Sequence, residues 1–159
     1  SGLGIEKYVK QFLDDLDDYS SILLKALADR LAEAFAELMH KKVREELWGY
    51  APNETLENEE LINEKYQGIR PAPGYPACPD HTEKTTLFAK LNATEEIGVQ
   101  LTESMAMYPA ASVSGFYYAH PQSKYFGLGK IEMDQVKSIA ERKGMEIDKM
   151  KKWLNPVIN

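Results

Sequence analysis

The sequence predicts an α+β fold in which a small antiparallel sheet is flanked by helices. Helical periodicity dominates the first part of the chain, short runs rich in β-branched and aromatic residues come later, and two further helical patterns close it. Helices and strands are therefore segregated rather than alternating, which is the order of an α+β protein. With 159 residues, 43% of them hydrophobic, the chain is long enough for one domain with a core.

One long N-terminal amphipathic helix is predicted from Ser20 to about Trp48. Its apolar residues recur at spacings of three and four, and they are Leu23, Leu27, Leu31, Phe35 and Leu38. The cluster Asp17–Ser20 is typical of a helix start, since its side-chain oxygens satisfy free backbone N–H groups. Pro52 cannot continue a helix. A shorter helical pattern from Ile5 to about Leu16 precedes the long helix.

The middle of the chain predicts a short helix, a stiff loop and another helix. The short helix covers about Asn58 to Tyr66. Four prolines then fall within the segment Gly68–Pro79, and because each fixes its own φ and lacks an N–H, this segment is an extended loop. Asp80 followed by Glu83 has the spacing of a capping box, which predicts a helix running to about Asn92.

The remaining elements are strands followed by a C-terminal helical hairpin. Strands are predicted at Val99–Thr102, Ser112–Ala119 and Lys124–Ile131, because these runs are rich in β-branched and aromatic residues. The closing helices are Asp134–Lys143 and about Ile147–Leu154. The strands are expected to form the antiparallel sheet.

Composition excludes several classes of function. The chain has 25 acidic and 19 basic residues and a net charge of −6, which argues against nucleic acid as a partner. No run approaches the ~18 apolar residues that span a membrane. The single cysteine, Cys78, forms no internal disulfide, and no secretory signal pattern is present, so a cytoplasmic location is expected.

Two groups of residues resemble a metal site and a DNA-binding motif, but neither has all the features that such a site needs. Cys78, Asp80 and His81 suggest a metal corner, but a zinc site needs about four ligands, so we expect no metal site. The segment Gln135–Leu154 has the outline of a helix-turn-helix, yet its charges sum to about +1 on an acidic chain. A packed helical hairpin is the better interpretation. No Gly-rich phosphate loop, nucleophile elbow or paired CxxC occurs, and no catalytic residue is expected.

The proline-rich loop is the most unusual feature. Gly74 permits close backbone approach, Arg70 offers a planar fork that grips carboxylates, and Tyr75 offers a flat amphipathic ring. These residues predict a ligand site. The alternative is a structural crossover with Arg70 in a surface salt bridge, and the residues alone leave both interpretations open.

The run from Arg70 to Lys84 contains the pattern RxxxGY and resembles the S-adenosylmethionine-binding activation domain of cobalamin-dependent methionine synthase. Three further segments resemble the same family in the same order: Lys25–Glu37, Trp48–Glu54 and Ser112–Phe126. The resemblance extends from about Asp17 to the C-terminus.

This resemblance implies a reactivation module of a methyltransferase, with no catalysis by this chain alone. Family members bind S-adenosylmethionine for the reductive methylation of cob(II)alamin. The implied cofactors are S-adenosylmethionine and a cobalamin that a neighbouring domain holds. The implied partners are the cobalamin-binding domain of the same polypeptide and a flavodoxin-like electron donor. The alternative is a non-catalytic adaptor that docks a corrinoid or redox protein without binding S-adenosylmethionine.

The resemblance also implies seven cofactor-binding residues: Arg70 for the ligand carboxylate, the backbone of Ala72 and Gly74 for the adenosyl part, Tyr75 beside the ligand and the corrin, Tyr125 and Phe126 in the same groove, and Glu33. Glu33 has an alternative interpretation as a solvated residue paired with Arg30. Phe126 departs from family members that carry a second tyrosine there.

Length is the larger departure, because the family's activation domain is about twice as long. We therefore expect residues 1–159 to form a single domain that is the C-terminal portion of a longer activation domain. The beginning, residues 1–16, is expected to be a linker or a remnant of cloning. An acidic residue that engages the ligand's amino group in the family lies upstream of this portion.

Overall fold

A computed structural model describes all 159 residues, and it confirms an α+β fold with seven α-helices and one two-stranded antiparallel sheet. The elements are α1 (Glu6–Asp14), α2 (Asp18–Lys42), a π-helical turn (Val43–Leu47), α3 (Asn58–Ile62), α4 (Glu83–Leu91), α5 (Ala93–Ile97), β1 (Gln100–Leu101), β2 (Met107–Tyr108), α6 (Met133–Lys143), α7 (Ile147–Leu154) and a 3₁₀ turn (Asn155–Val157).

The long helix starts as predicted but changes geometry near its end. The Asp17 carboxylate accepts a hydrogen bond from the Ser20 N–H at 3.0 Å and caps α2. The single α-helix predicted to Trp48 ends at Lys42, and the chain continues as the π-helical turn. In this turn the N–H groups of both Trp48 and Gly49 donate to the Val43 carbonyl, which widens the final turn before the chain reverses.

A buried ion pair holds the reversal after α2. The Nε and Nη2 atoms of Arg44 donate to the two carboxylate oxygens of Glu54 at 2.7 and 2.6 Å. The Arg44 side chain is 0% exposed and that of Glu54 is 7% exposed. The guanidinium also stacks on the Tyr66 ring, 4.3 Å from its centroid. This pair joins the end of α2 to the segment that leads towards the proline-rich loop.

The apolar residues that predicted α2 are not buried within this chain. We call them the α2 stripe: Leu23, Leu27, Leu31, Phe35 and Leu38, which are between 49% and 57% exposed. The helix instead packs its small residues inward, with Ala28 and Ala32 against Ala111. The periodicity correctly predicted a helix, but the wide apolar face lies on the surface of these 159 residues.

The sheet is smaller than predicted, and only its first strand was predicted correctly. β1 lies within Val99–Thr102 and pairs with β2 in the register Gln100 opposite Tyr108 and Leu101 opposite Met107. The second strand, β2, was not predicted. It follows a tight turn in which the Thr102 N–H donates to the Ala106 carbonyl at 2.8 Å.

The predicted strand Ser112–Ala119 is wrong, and proline explains why. This segment is extended beside the proline-rich loop, where Ile69 and Tyr118 exchange two N–H···O bonds of 3.0 Å. The next pair would be Phe116 and Pro71. The Phe116 N–H donates to the Pro71 carbonyl at 3.0 Å, but Pro71 has no N–H to return. The ladder therefore stops at one bridge.

The predicted strand Lys124–Ile131 is also wrong, because only its last residue pairs in a β-bridge. Ile131 forms a parallel bridge with Ile158 near the C-terminus. Further back, the Leu128 N–H donates to the Pro76 carbonyl at 3.4 Å, and Pro76 again has no N–H to donate. Both extended segments thus lie against a loop that accepts hydrogen bonds but returns few.

The C-terminal helical hairpin is confirmed and contains the largest buried apolar cluster. Its members are Ile131, Val136, Ala140, Met150 and Leu154, each at most 3% exposed. Gly144 ends α6 with a φ of +59°, which allows the tight connection to α7. The hairpin provides a rigid base for the preceding segments.

Two helix boundaries in the middle of the chain differ from the prediction. The capping box at Asp80 and Glu83 is wrong, because the Asp80 carboxylate accepts from the N–H and hydroxyl of Thr82 at 2.8 and 2.7 Å. α4 begins at Glu83. Lys143 of α6 pairs with both Asp80 and Glu83, at 2.6 Å from each, and so connects the start of α4 to the hairpin. The helix predicted to Tyr66 ends at Ile62. α4 ends at Leu91, as predicted, and Asn92, with a φ of +48°, separates it from α5, which was not predicted.

Breaking the buried Arg44–Glu54 pair should destabilise the fold strongly. Glu54→Gln removes the compensating charge and leaves a buried guanidinium, which costs about 3 kcal/mol or more of the free energy of unfolding. Chemical denaturation measures this loss. The matched control is Asp14→Asn, which breaks the exposed Lys10–Asp14 pair and should change stability little. Equal effects of the two substitutions would contradict a structural role for Arg44–Glu54.

Candidate functional site

A cavity of about 820 Å³ lies between α2 and the proline-rich loop. We call it the loop cavity. Its volume is within the range of small-molecule sites. Six of the seven sequence-predicted residues line it: Glu33, Arg70, Ala72, Tyr75, Tyr125 and Phe126. Further lining residues that the sequence did not indicate include Ala36, Glu37 and Val113.

Gly74, the seventh predicted residue, lies outside the cavity wall and shapes the loop. Its φ is +103°, and a Cβ atom there would lie 2.1 Å from the His81 ring. Its N–H donates to the Cys78 carbonyl at 2.7 Å. Only glycine satisfies both the backbone angle and the close ring contact. Gly74 therefore sets the path of the loop that presents Ala72 and Tyr75 to the cavity.

Tyr125 joins the two walls of the cavity. Its hydroxyl accepts a hydrogen bond from the backbone N–H of Arg70 at 3.0 Å. Tyr75, Tyr125 and Phe126 are 66%, 40% and 54% exposed, and all three line the cavity. Flat, partly exposed rings of this kind suit a planar ligand group such as a nucleobase.

Arg70 is held from several sides. Its Nη1 donates to the Tyr66 hydroxyl at 2.9 Å and to Nδ1 of His40 at 3.2 Å, and its Nη2 donates to Glu37 Oε2 at 2.5 Å. We call Glu37, His40, Tyr66 and Arg70 the Arg70 cluster. Burial acts to lower the pKa of Arg70, but the hydrogen bond to Glu37 raises it, so the guanidinium stays charged. The charge is thus placed at the wall of the cavity.

His40 is the buried member of the cluster, with 0% of its surface exposed. Burial, together with the nearby charges of Arg44 and Arg70, lowers the pKa of His40 to about 3. Its Nε2 lies 3.3 Å from the Tyr50 hydroxyl. The imidazole is therefore neutral near neutral pH.

Glu33 combines the two interpretations that the sequence left open. Its carboxylate accepts from Arg30 Nη1 at 3.1 Å in an exposed pair, and the residue also lines the cavity. Glu37, one helical turn further along α2, has one carboxylate oxygen on Arg70 and a second that is buried without a partner. The α2 wall of the cavity is therefore acidic, while Arg70 supplies a positive charge.

The structure shows no metal cluster. No group of three or more His, Cys, Asp or Glu residues is placed to hold a metal ion. The side chains of the suggested metal corner have other partners, since His81 packs on Gly74 and Asp80 pairs with Lys143. None of the helices has both the length and the apolar character that crossing a membrane requires.

Comparison with known proteins identifies the family. The family model for the activation domain of vitamin B12-dependent methionine synthase matches residues 1–144. The chain belongs to this family. It is also similar to a solved structure described as the MetH reactivation domain bound to AdoHcy, with 56% sequence identity and a TM-score of 0.97. The match covers 99% of this chain and 49% of that chain, so the present residues span about half the length of the relative.

Sequence reasoning found the loop of this activation domain but missed the residues behind it. Glu37, His40 and Tyr66 were not among the predicted site residues, although Glu37 ends the family-like segment Lys25–Glu37. A signal for two of them does exist, because Glu33, Glu37 and His40 are spaced four and three residues apart and therefore share one face of α2. That face is polar, unlike the α2 stripe, and two of its residues, Glu37 and His40, contact Arg70.

Acid should destabilise this activation domain through His40. The unfolded imidazole titrates near a pKa of about 6.5, whereas the folded one titrates at about 3, so the unfolded state binds an extra proton between these values. The contribution is fully present above about pH 6.5 and is lost as the pH falls towards 3. Between about pH 8 and pH 5, His40 alone should lower the free energy of unfolding by about 2 kcal/mol, measured by chemical denaturation.

The control for this prediction is His40→Asn, which has no titrating ring. Burial also lowers the pKa of His81, and this group titrates equally in both proteins, so the difference between the two pH profiles reports His40. Parallel profiles for the two proteins would show that His40 takes up its proton without disturbing the fold.

Proposed function

We propose that this chain carries the S-adenosylmethionine site of a reactivation domain of cobalamin-dependent methionine synthase. The observation that carries the proposal is the charged, fixed Arg70 guanidinium at the wall of the loop cavity, in a chain 56% identical to a domain seen with AdoHcy. The ligand has a carboxylate for the guanidinium and an adenosyl group for the loop backbone and the aromatic rings.

The charges of the cavity favour the methyl donor. S-adenosylmethionine carries a positive sulfonium, and S-adenosylhomocysteine (AdoHcy) carries a neutral thioether. Glu33 and Glu37 both line the cavity, so the α2 wall attracts a cationic sulfur. In this proposal Arg70 binds the carboxylate, Ala72 and the loop shaped by Gly74 meet the adenosyl part, and the three rings exclude water beside it.

The reaction itself requires groups that this chain does not supply. Cobalamin on a neighbouring domain of the same polypeptide would accept the methyl group, and a flavodoxin-like donor would supply the electron. The chain's own residues bind and orient the methyl donor. Lys149, Lys151 and Lys152 are exposed on α7 of a chain of net charge −6, and in this proposal they attract an acidic electron donor.

We further propose that the α2 stripe is covered by the remaining part of a longer domain. Two observations support this. The relative is about twice as long as the matched region, and five large apolar residues on one helix face are about half exposed. Contiguous exposed apolar surface of this kind marks an interface.

The single free cysteine, Cys78, suits a parent enzyme in the reducing cytoplasm.

Removal of the Arg70 guanidinium should weaken ligand binding in the full-length domain. A charge-assisted bidentate contact contributes about 1.5 to 3 kcal/mol, so Arg70→Ala should reduce affinity for S-adenosylmethionine by about ten- to a hundredfold in calorimetry. Arg70→Lys should recover only part of the loss, because an ammonium lacks the planar fork.

The control is Arg142→Ala, which removes a guanidinium from α6, remote from the loop cavity. It should leave affinity unchanged. If Arg70→Ala binds as tightly as the wild type, Arg70 is not the anchor. If the wild-type full-length domain itself does not bind S-adenosylmethionine, the adaptor function becomes the better interpretation.

The cost of truncating the α2 stripe should depend on chain length. In these 159 residues Leu27 is 54% exposed, so Leu27→Ala should lower the free energy of unfolding only slightly. In the full-length domain the same substitution should cost about 2 to 4 kcal/mol, because it would leave a cavity in an interface. Leu154→Ala, at a site 1% exposed here, should cost the same in both proteins. A small effect of Leu27→Ala in both would reject the interface.

A further inference from the structure

The chain engages only some of the N–H donors of the Arg70 guanidinium. A guanidinium has five N–H donors. Three are engaged: the two on Nη1 by Tyr66 and His40, and one on Nη2 by Glu37. The N–H on Nε and the second N–H on Nη2 have no partner among the hydrogen bonds of the chain. Nε and Nη2 share one edge of the guanidinium, and this edge binds a carboxylate in bidentate fashion when an N–H of Nη2 points along it.

The contact with Arg70 fixes the tautomer of His40. Arginine can only donate, so Nδ1 of His40 must be the acceptor in their 3.2 Å contact. The ring proton is then on Nε2, where it can be donated to the Tyr50 hydroxyl at 3.3 Å. A protonated imidazole would place two donors and two positive charges against each other. The low pKa of about 3 is consistent with this arrangement, because it keeps the ring neutral.

Aromatic packing fixes the plane of the imidazole. The ring of His40 stacks on that of Tyr117, with centroids 5.0 Å apart and planes at 27°, and meets the edge of Tyr66 at 4.8 Å. His40 is therefore packed against two aromatic rings and contacted at both of its nitrogens. A rigid acceptor of this kind restricts rotation of the guanidinium that it contacts, and precise placement of a binding group lowers the entropic cost of binding.

We propose that His40 is a positioning residue, whose neutral Nδ1 orients Arg70 so that its two unengaged N–H donors receive the ligand carboxylate. This inference rests on the proposed function. Glu37 alone would hold only one donor of the guanidinium, and its negative charge would compete with the ligand's carboxylate. The neutral His40 orients the guanidinium without adding a further negative charge.

The alternative is that His40 serves only the packing of the buried aromatic rings. Two ligands distinguish the roles. S-adenosylhomocysteine has the carboxylate, whereas methylthioadenosine shares the adenosyl and thioether groups and lacks the amino-acid part. A residue that acts through Arg70 affects binding of the first ligand alone. A residue that merely supports the fold affects binding of both.

The experiment compares wild type, His40→Leu and His40→Asn in the full-length domain by calorimetry with both ligands. His40→Leu keeps apolar bulk and removes the acceptor, and we expect it to weaken S-adenosylhomocysteine about tenfold while methylthioadenosine changes less than about twofold. His40→Asn presents a carbonyl oxygen near the position of Nδ1 and should restore most of the affinity. Equal losses for both ligands, or no loss for either, would overturn the proposal.

Arg70→Ala provides the background that separates this proposal from the proposed function. When Arg70 is absent, His40→Leu should weaken S-adenosylhomocysteine less than about twofold further. If Arg70→Ala alone leaves S-adenosylhomocysteine binding unchanged, the proposed anchor fails. If Arg70→Ala weakens binding but the effect of His40→Leu is the same with and without Arg70, only the positioning role fails.

A measurement on the unaltered protein covers the case in which His40→Leu does not fold. NMR of the imidazole nitrogens should show Nδ1 without a proton and Nε2 with one, at about pH 7 and at about pH 5. A proton on Nδ1, in either the other neutral tautomer or the imidazolium, would exclude acceptance from Arg70 and overturn the proposal.

Discussion

The whole arrangement depends on keeping one positive charge, the guanidinium of Arg70, partly buried and pointed in a fixed direction. Burying such a group is costly unless its donors are satisfied or reserved for a ligand. α2 supplies Glu37 and His40, the segment before the loop supplies Tyr66, and Tyr125 binds the backbone N–H of Arg70 itself. The elements that wall the loop cavity are thus the elements that satisfy Arg70.

Prolines impose the second constraint, because they decide where the backbone can and cannot pair. Pro71 and Pro76 accept hydrogen bonds from Phe116 and Leu128 but return none, so neighbouring segments are extended without becoming a sheet. The loop therefore keeps carbonyl groups and side chains near the cavity and is held by Gly74 and by the hairpin through Lys143. The buried pair of Arg44 and Glu54 holds the chain reversal after α2, and the Arg44 guanidinium stacks on the ring of Tyr66, which contacts Arg70.

The sequence predicted what depends on local signals and missed what depends on partners. Helix periodicity, the cap at Asp17 and the break at Gly144 are local, so the long helix and the closing hairpin could be predicted. The predicted strands Ser112–Ala119 and Lys124–Ile131 do not form, because they lie beside prolines far away in the chain that cannot return a hydrogen bond. The RxxxGY loop was readable as a motif, and six of its seven associated residues line one cavity. His40 and Tyr66 could not be predicted as site residues, since only the fold shows that they contact Arg70.

A crystal structure of the full-length domain with S-adenosylhomocysteine tests the central claim most directly. The account predicts that the ligand's carboxylate lies within hydrogen-bond distance of the Nε and Nη2 atoms of Arg70, while Nη1 keeps its contacts with His40 and Tyr66. It also predicts the adenosyl group between the loop and the rings of Tyr125 and Phe126. A carboxylate bound elsewhere, or an Arg70 side chain that has left His40 to reach the ligand, would contradict the account.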